Sequence, residues 1–352
     1  MTDPRALLAE LAVPRLPGTP GNARVRAVLT RELAARGFVV IEHAFAATPV
    51  RLIGAQIWGA ALGAGIFATV ALALVPGGSR WLAIWTPALL GALVWLVLAA
   101  GRGLPLPTPP VAAANLIAVR PRTRVTVWLT AHYDSKGQPL SMAGRLVAVA
   151  LCATGCLGLL ALTALRLELG WHPAMLLPVL PGILGALLLS RCRVSNDSAG
   201  AVDNAAALVT VLGVVDALPA ATPVGVLFPD AEEFGLAGAH ALVRERANLL
   251  ADTAVVNLDG IDDAGPTRVL RHRPGPVGMA VAAALGVRPV RFLPALVDGL
   301  ALAPAARECV TVLRGGWRTA RRVHTPRDTP DRLTLAGSRA VAQAIAVALS
   351  RV

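Results

Sequence analysis

Charge is scarce in this chain: Asp, Glu, Lys and Arg make up only 15% of its 352 residues. Soluble domains carry about 25%, so an ordinary cytosolic globule is a poor description. Aromatic residues are scarcer still, at 4%, with a single Tyr. Lysine is reduced to Lys136, and every other basic residue is Arg. The net charge of +12 could signal nucleic acid. The Arg residues are scattered, however, and no zinc-finger or helix-turn-helix spacing accompanies them, so no nucleic-acid partner is expected. The four Cys include no C-x-x-C pair, which argues against a disulfide framework or a thiolate zinc site. Low hydrophobicity, the mark of disorder, is absent as well, since 55% of the residues are apolar.

Much of that apolar content lies in four uncharged runs: 52–75, 81–100, 146–165 and 174–190. Each charge at a bilayer centre costs roughly 2.5–3.5 kcal/mol, and a span needs about 20 residues. The runs therefore read as membrane spans paired in two hairpins, 52–100 and 144–190, with a lipid bilayer as partner. The fourth is the weakest, because Pro178 and Pro181 interrupt it, and its alternative is a buried or re-entrant helix. Residues 1–20 hold Asp3, Glu10 and several Pro around no apolar core, so no signal peptide is expected there. Removing the hairpins leaves 1–51, 101–143 and 191–352, together the size of one α/β domain.

Helical periodicity over 22–36 places Val25, Val28, Leu29 and Leu33 on one face. Strands are expected at 38–45, 115–119, 125–130, 223–228 and 254–258, the second and third as a hairpin or neighbouring pair. Helices are expected at 202–217, 235–247 and 334–350. The alternation implies a mostly parallel sheet with helices on both faces. Sites in such folds lie beyond the carboxyl ends of the strands.

Those ends hold the unusual polar residues: His132 and Asp134 after the third strand, Asp203 at a helix start, Glu232 and Glu233 after the fourth, Asp259 after the fifth, and His324 near the C-terminus. Histidine with carboxylate and no thiolate suits zinc or a similar ion. Two His and three carboxylates exceed what one catalytic ion with an open position needs. They suit two ions sharing a carboxylate.

The stretches AHYDS (131–135), AVDNAA (201–206), DAEEFGLAG (230–238), NLDG (257–260) and HTPRDTPDRL (324–333) resemble, in order, those of the dizinc exopeptidases of metallopeptidase family 28, which include bacterial aminopeptidases. The resemblance implies two Zn²⁺ and a peptide substrate attacked at its N-terminal bond. It implies that Asp203 bridges both ions, His132 and Asp259 complete one, and Glu233 and His324 complete the other. Glu232 would be the general base for the metal-bridging water, and Asp134 would orient His132. Relatives often carry Ser-Asp-His where this chain has Val297-Asp298-Gly299, which leaves the substrate pocket open. Asp328 is expected to order its own loop.

The expected protein is thus a membrane-anchored zinc aminopeptidase. One rival is a glutaminyl-cyclase-like enzyme with a single zinc. Another is a catalytically silent receptor or scaffold, whose sign would be a lost base or ligand. A small transporter is disfavoured, because the runs hold no ionisable pathway group. Arg51, Arg102, Arg145, Arg191 and Arg193 flank the hairpins on the domain's side, against Arg80 and Arg166 in the opposite turns. The positive-inside rule then places the domain on the cytoplasmic face of the cell membrane.

Overall fold

The computed structural model describes residues 3–48, 109–169, 177 and 179–351, with scattered positions between 61 and 91. The chain divides into two compact units. One comprises Met1–Pro49, Pro109–Gly137 and Ser195–Val352, the other Val50–Thr108 and Gln138–Val194.

The first unit is built on a seven-stranded sheet. Its strands are β1 (Val39–Ala47), β2 (Val111–Val119), β3 (Val127–Thr130), β4 (Val224–Phe228), β5 (Ala254–Ile261), β6 (Thr267–Arg273) and β7 (Glu308–Arg314). Their order is β1-β2-β4-β3-β5-β7-β6. The central strands β4, β3, β5 and β7 run parallel. The outer pairings, β1 with β2, β2 with β4 and β6 with β7, are antiparallel. The sheet is therefore mixed rather than mostly parallel. The expected pairing of the second and third strands is also wrong, because β4 inserts between β2 and β3. The two strands β3 and β4 are the shortest and are buried along their whole length, as coverage of both faces requires.

Pleating sends Trp128, Leu227, Val255 and Cys309 to one face, where Ala239, Leu242, Ala301 and Leu302 complete a core cluster. These last four lie on helices Ala237–Arg246 and Asp298–Leu302. The alternate residues Leu129, Val226, Val256 and Val310 are equally buried and point the other way. Helix Ala206–Ala217 contacts β5 and helix Ala336–Leu349, which in turn contacts helix Pro276–Ala284. The indole of Trp128 donates to Leu249 O at 2.9 Å, so the largest core side chain is fully satisfied.

In the second unit, helices Met142–Leu169 and Leu180–Ser190 pack on each other. A Cβ on Gly155 would come within 2.2 Å of Gly182 Cα, a close backbone approach of the kind small residues permit. The expected spans 52–75 and 81–100 lie almost wholly outside the described residues. The expected span 174–190 becomes a helix of 11 residues. At 1.5 Å per residue that falls well short of a hydrocarbon core. Pro181 sits in its first turn, where proline is tolerated, and a longer helix would have to run through both prolines. Among the described residues no helix is long and apolar enough to cross a membrane.

Candidate metal centre

The parallel register sets the site. Thr130 pairs with Leu227 on β4 and with Asn257 on β5. Two residues beyond Thr130, His132 therefore arrives beside Asp259, and the turn after β4 brings Glu232 and Glu233 to its other side. Asp203 comes from the irregular π-type turn Ala201–Ala205, which deviates from helical dihedrals at Asp203 and Asn204. His324 comes from the loop after helix Trp317–Ala320.

All the expected site residues meet. His132 Nε2 lies 3.1 Å from Asp203 Oδ1 and 4.0 Å from Asp259 Oδ1. His324 Nε2 lies 3.0 Å from both Asp203 Oδ2 and Glu233 Oε1. Two donor groups result, His132–Asp203–Asp259 and Asp203–Glu233–His324, each with its ligand atoms within 4.8 Å of one another. Asp203 belongs to both. Its Oδ1 and the Glu233 Oε1 are buried and make no hydrogen bond of proper geometry. Buried oxygens left without a donor are costly, and here they converge with imidazole nitrogens. The donor set fits a pair of zinc-like ions sharing one carboxylate.

Asp134 does more than face His132, whose Nδ1 is 3.3 Å from its Oδ1. Its carboxylate also accepts the backbone N–H groups of Glu232 and Glu233, at 3.1 and 3.0 Å. One buried side chain thus positions a ligand His and the adjacent Glu pair. Asp328 works similarly. Beyond ordering its own loop, it accepts Val202 N–H at 2.8 Å and Asp203 N–H at 3.2 Å. Asp134 thus supports the ligand of its own loop, whereas Asp328, from the loop of His324, supports the distant Asp203. Ala231, Leu236 and His324 all adopt left-handed backbone, a concentration of strain that accompanies functional sites.

Burial alone would raise the Asp203 carboxyl, but the His132 and His324 imidazoles, 3.1 and 3.0 Å from its two oxygens, hold it well below the usual range. Glu233 is drawn down to about 2 against its burial, by His324 and by Lys136, whose Nζ is 2.6 Å from Glu233 Oε2. Glu232 is pushed well up by burial, with His132 opposing and Glu233, Asp259 and Asp298 adding repulsion. Glu232 belongs to neither donor group, which separates it from its neighbour.

Asp298 was legible only as a departure from the Ser-Asp-His pattern. It is fully buried, neither of its oxygens has a hydrogen-bond partner, and burial raises it to about 7.

The mixed sheet with its helices is similar to zinc-exopeptidase-like folds. Residues 115–284 match Peptidase family M28, a stretch containing every candidate ligand except His324. The zinc aminopeptidase BSAP from Bacillus subtilis is similar in fold, with a TM-score of 0.58, 11% identity and coverage of 99% of this chain and 94% of that one. A Zn-dependent exopeptidase from Parabacteroides distasonis gives 0.54 and 14%, covering 98% and 96%. A glutaminyl cyclase from Porphyromonas gingivalis gives 0.55 and 14%, covering 99% and 96%. No curated protein sequence matches the chain.

Proposed function

We propose that the protein is a zinc-dependent metallopeptidase acting as an aminopeptidase with two ions. The observation that carries this reading is the shared carboxylate: Asp203 presents one oxygen to His132 and the other to His324, at 3.1 and 3.0 Å. Zinc bound there would acidify a water and polarise the scissile carbonyl. His132, Asp203 and Asp259 would hold one ion, and Asp203, Glu233 and His324 the other. Glu232 takes a proton from the attacking water and returns it to the leaving amine as the C–N bond breaks. Asp134 keeps Glu232 and His132 in register through the contacts described above. A substrate's free ammonium complements the surplus of buried carboxylate at Glu232, Asp259 and Asp298.

Metal analysis of the purified protein is expected to find two zinc ions per chain, beside turnover of aminoacyl substrates. N-acetylation of a cleaved peptide is expected to abolish turnover. Continued cleavage of the blocked peptide would reject the aminopeptidase assignment. Cyclisation of an N-terminal glutaminyl peptide with a single bound zinc would favour the cyclase instead.

The second unit is proposed to contact lipid. Leu157, Leu177, Leu180, Leu184 and Leu187 are all more than half exposed, an amount of bare leucine that water does not favour. The flanking arginines support a cytoplasmic position for the first unit. Single cysteines at Gly78 and at exposed Ser350, in a cysteine-free background, can be labelled with an impermeant maleimide on intact cells. Labelling at residue 78 only is expected. Labelling at residue 350 would place the metal centre outside.

A further inference from the structure

Arg15 sits in the loop between helices Pro4–Leu11 and Pro20–Ala35, a place where arginine ordinarily faces water. Here it is fully buried. Its guanidinium has no carboxylate within ion-pair distance among the described residues. Instead it donates to four backbone carbonyls: Nε to Tyr133 O at 2.7 Å, one terminal nitrogen to Val13 O and Ala199 O, and the other to Gly200 O at 2.9 Å. The backbone joins in, with Arg15 N–H donating to Ser135 Oγ at 3.2 Å and Ser135 N–H donating to Arg15 O at 3.3 Å.

The two ends of this clamp are chemically significant. Tyr133 lies between His132 and Asp134, and Gly200 precedes the turn that delivers Asp203. The clamp therefore spans the two loops that must meet for Asp203 to approach His132. Gly200 adopts φ +55°, and a Cβ there would come within 2.4 Å of Asp203 O and 3.0 Å of the guanidinium, so the two loops close against Arg15 with no room to spare. A buried cation is expensive unless its bonds are satisfied. A planar fork that reaches several carbonyls at once is something arginine offers and lysine does not. Its charge also lies within electrostatic reach of Asp134, Asp328, Asp203 and Glu233, offsetting their mutual repulsion.

We propose that Arg15 is a positioning residue of the metal centre, locking the loop of His132 and Asp134 to the turn of Asp203 and so fixing the separation of those ligands. The proposal rests on the zinc reading, and its test separates the two. Zinc is titrated into apoprotein of the wild type, Arg15→Met and Arg15→Lys against a competing chromophoric chelator, and thermal melts are recorded for each. Leu29→Ala, a truncation of a buried residue in helix Pro20–Ala35 that makes none of the hydrogen bonds of the clamp, supplies a destabilised comparison.

Arg15→Met is expected to bind zinc about 10–100-fold more weakly, the range seen when support behind metal ligands is lost. Arg15→Lys, which keeps the charge but not the fork, is expected to lose most of that affinity too. Leu29→Ala is expected to keep wild-type affinity, and excess zinc should restore turnover to the Arg15 variants. Wild-type zinc affinity in either Arg15 variant would overturn the proposal, as would an equal loss in Leu29→Ala. If Arg15→Met does not fold, Arg15→Lys alone decides the matter by the same readout. A wild type that binds no zinc would sink the metal reading and this proposal with it.

Discussion

Glu232→Gln is expected to leave zinc content unchanged and to lower kcat by about 10²–10⁴, the contribution of a positioned general base. Glu233→Gln, one residue on, is expected to lose turnover together with one ion. The difference comes from geometry. Glu233 Oε1 lies 3.0 Å from His324 Nε2 inside a donor group that includes Asp203, so its side chain faces the ligand cluster. Glu232 belongs to no such group. Its side chain lies close enough for mutual charge effects with His132, Asp259 and Asp298, within reach of a water that bound ions would hold. The amide of Gln matches Glu in shape, and both backbone N–H groups remain held by Asp134, so neither substitution should disturb the turn. Elemental analysis paired with steady-state kinetics reads both effects. Equal metal loss in the two variants would reverse the assignment of base and ligand.

The site was largely legible because its residues sit at positions that sequence can locate. His132, Glu232 and Glu233 each follow a short apolar strand and Asp259 lies near the end of another, and parallel strands bring their ends together without any knowledge of side-chain packing. What escaped was whatever depends on contacts between distant segments. Strand order is one case: β2 and β3 are close in sequence and separated by a short turn, yet β4 lies between them, because crossover connections rather than proximity decide the neighbours. Arg15 is another. Its surroundings, Val-Pro-Arg-Leu-Pro, look like an exposed loop, and only the fold brings Tyr133 and Gly200 to it. The sequence around Asp328 suggests only an order within its own loop, and its second grip, on Asp203, lies 125 residues away along the chain. Hydropathy could count uncharged residues but not place helix starts, so the run 174–190 became a helix beginning at Leu180.

Asp203→Asn is expected to be the most damaging substitution for metal content, with loss of both ions where Asp259→Asn loses one. The argument is that of a shared ligand. Each Asp203 oxygen serves a different imidazole, His132 for Oδ1 and His324 for Oδ2, and an amide can offer only one oxygen, uncharged. Asp259 serves a single group. Stability should follow occupancy, because an ion that binds only the folded chain adds about 2.7 kcal/mol when present at a hundred times its dissociation constant. Chelation is therefore expected to lower the Tm of the wild type clearly, that of Asp259→Asn less, and that of Asp203→Asn hardly at all. Without metal Asp203→Asn should still be less stable than the wild type, because His132 and His324 favour the Asp203 carboxylate over its burial and an amide forfeits that attraction. An Asp203→Asn variant that kept both ions, or one that responded to chelation as strongly as the wild type, would show that the two donor groups do not share Asp203.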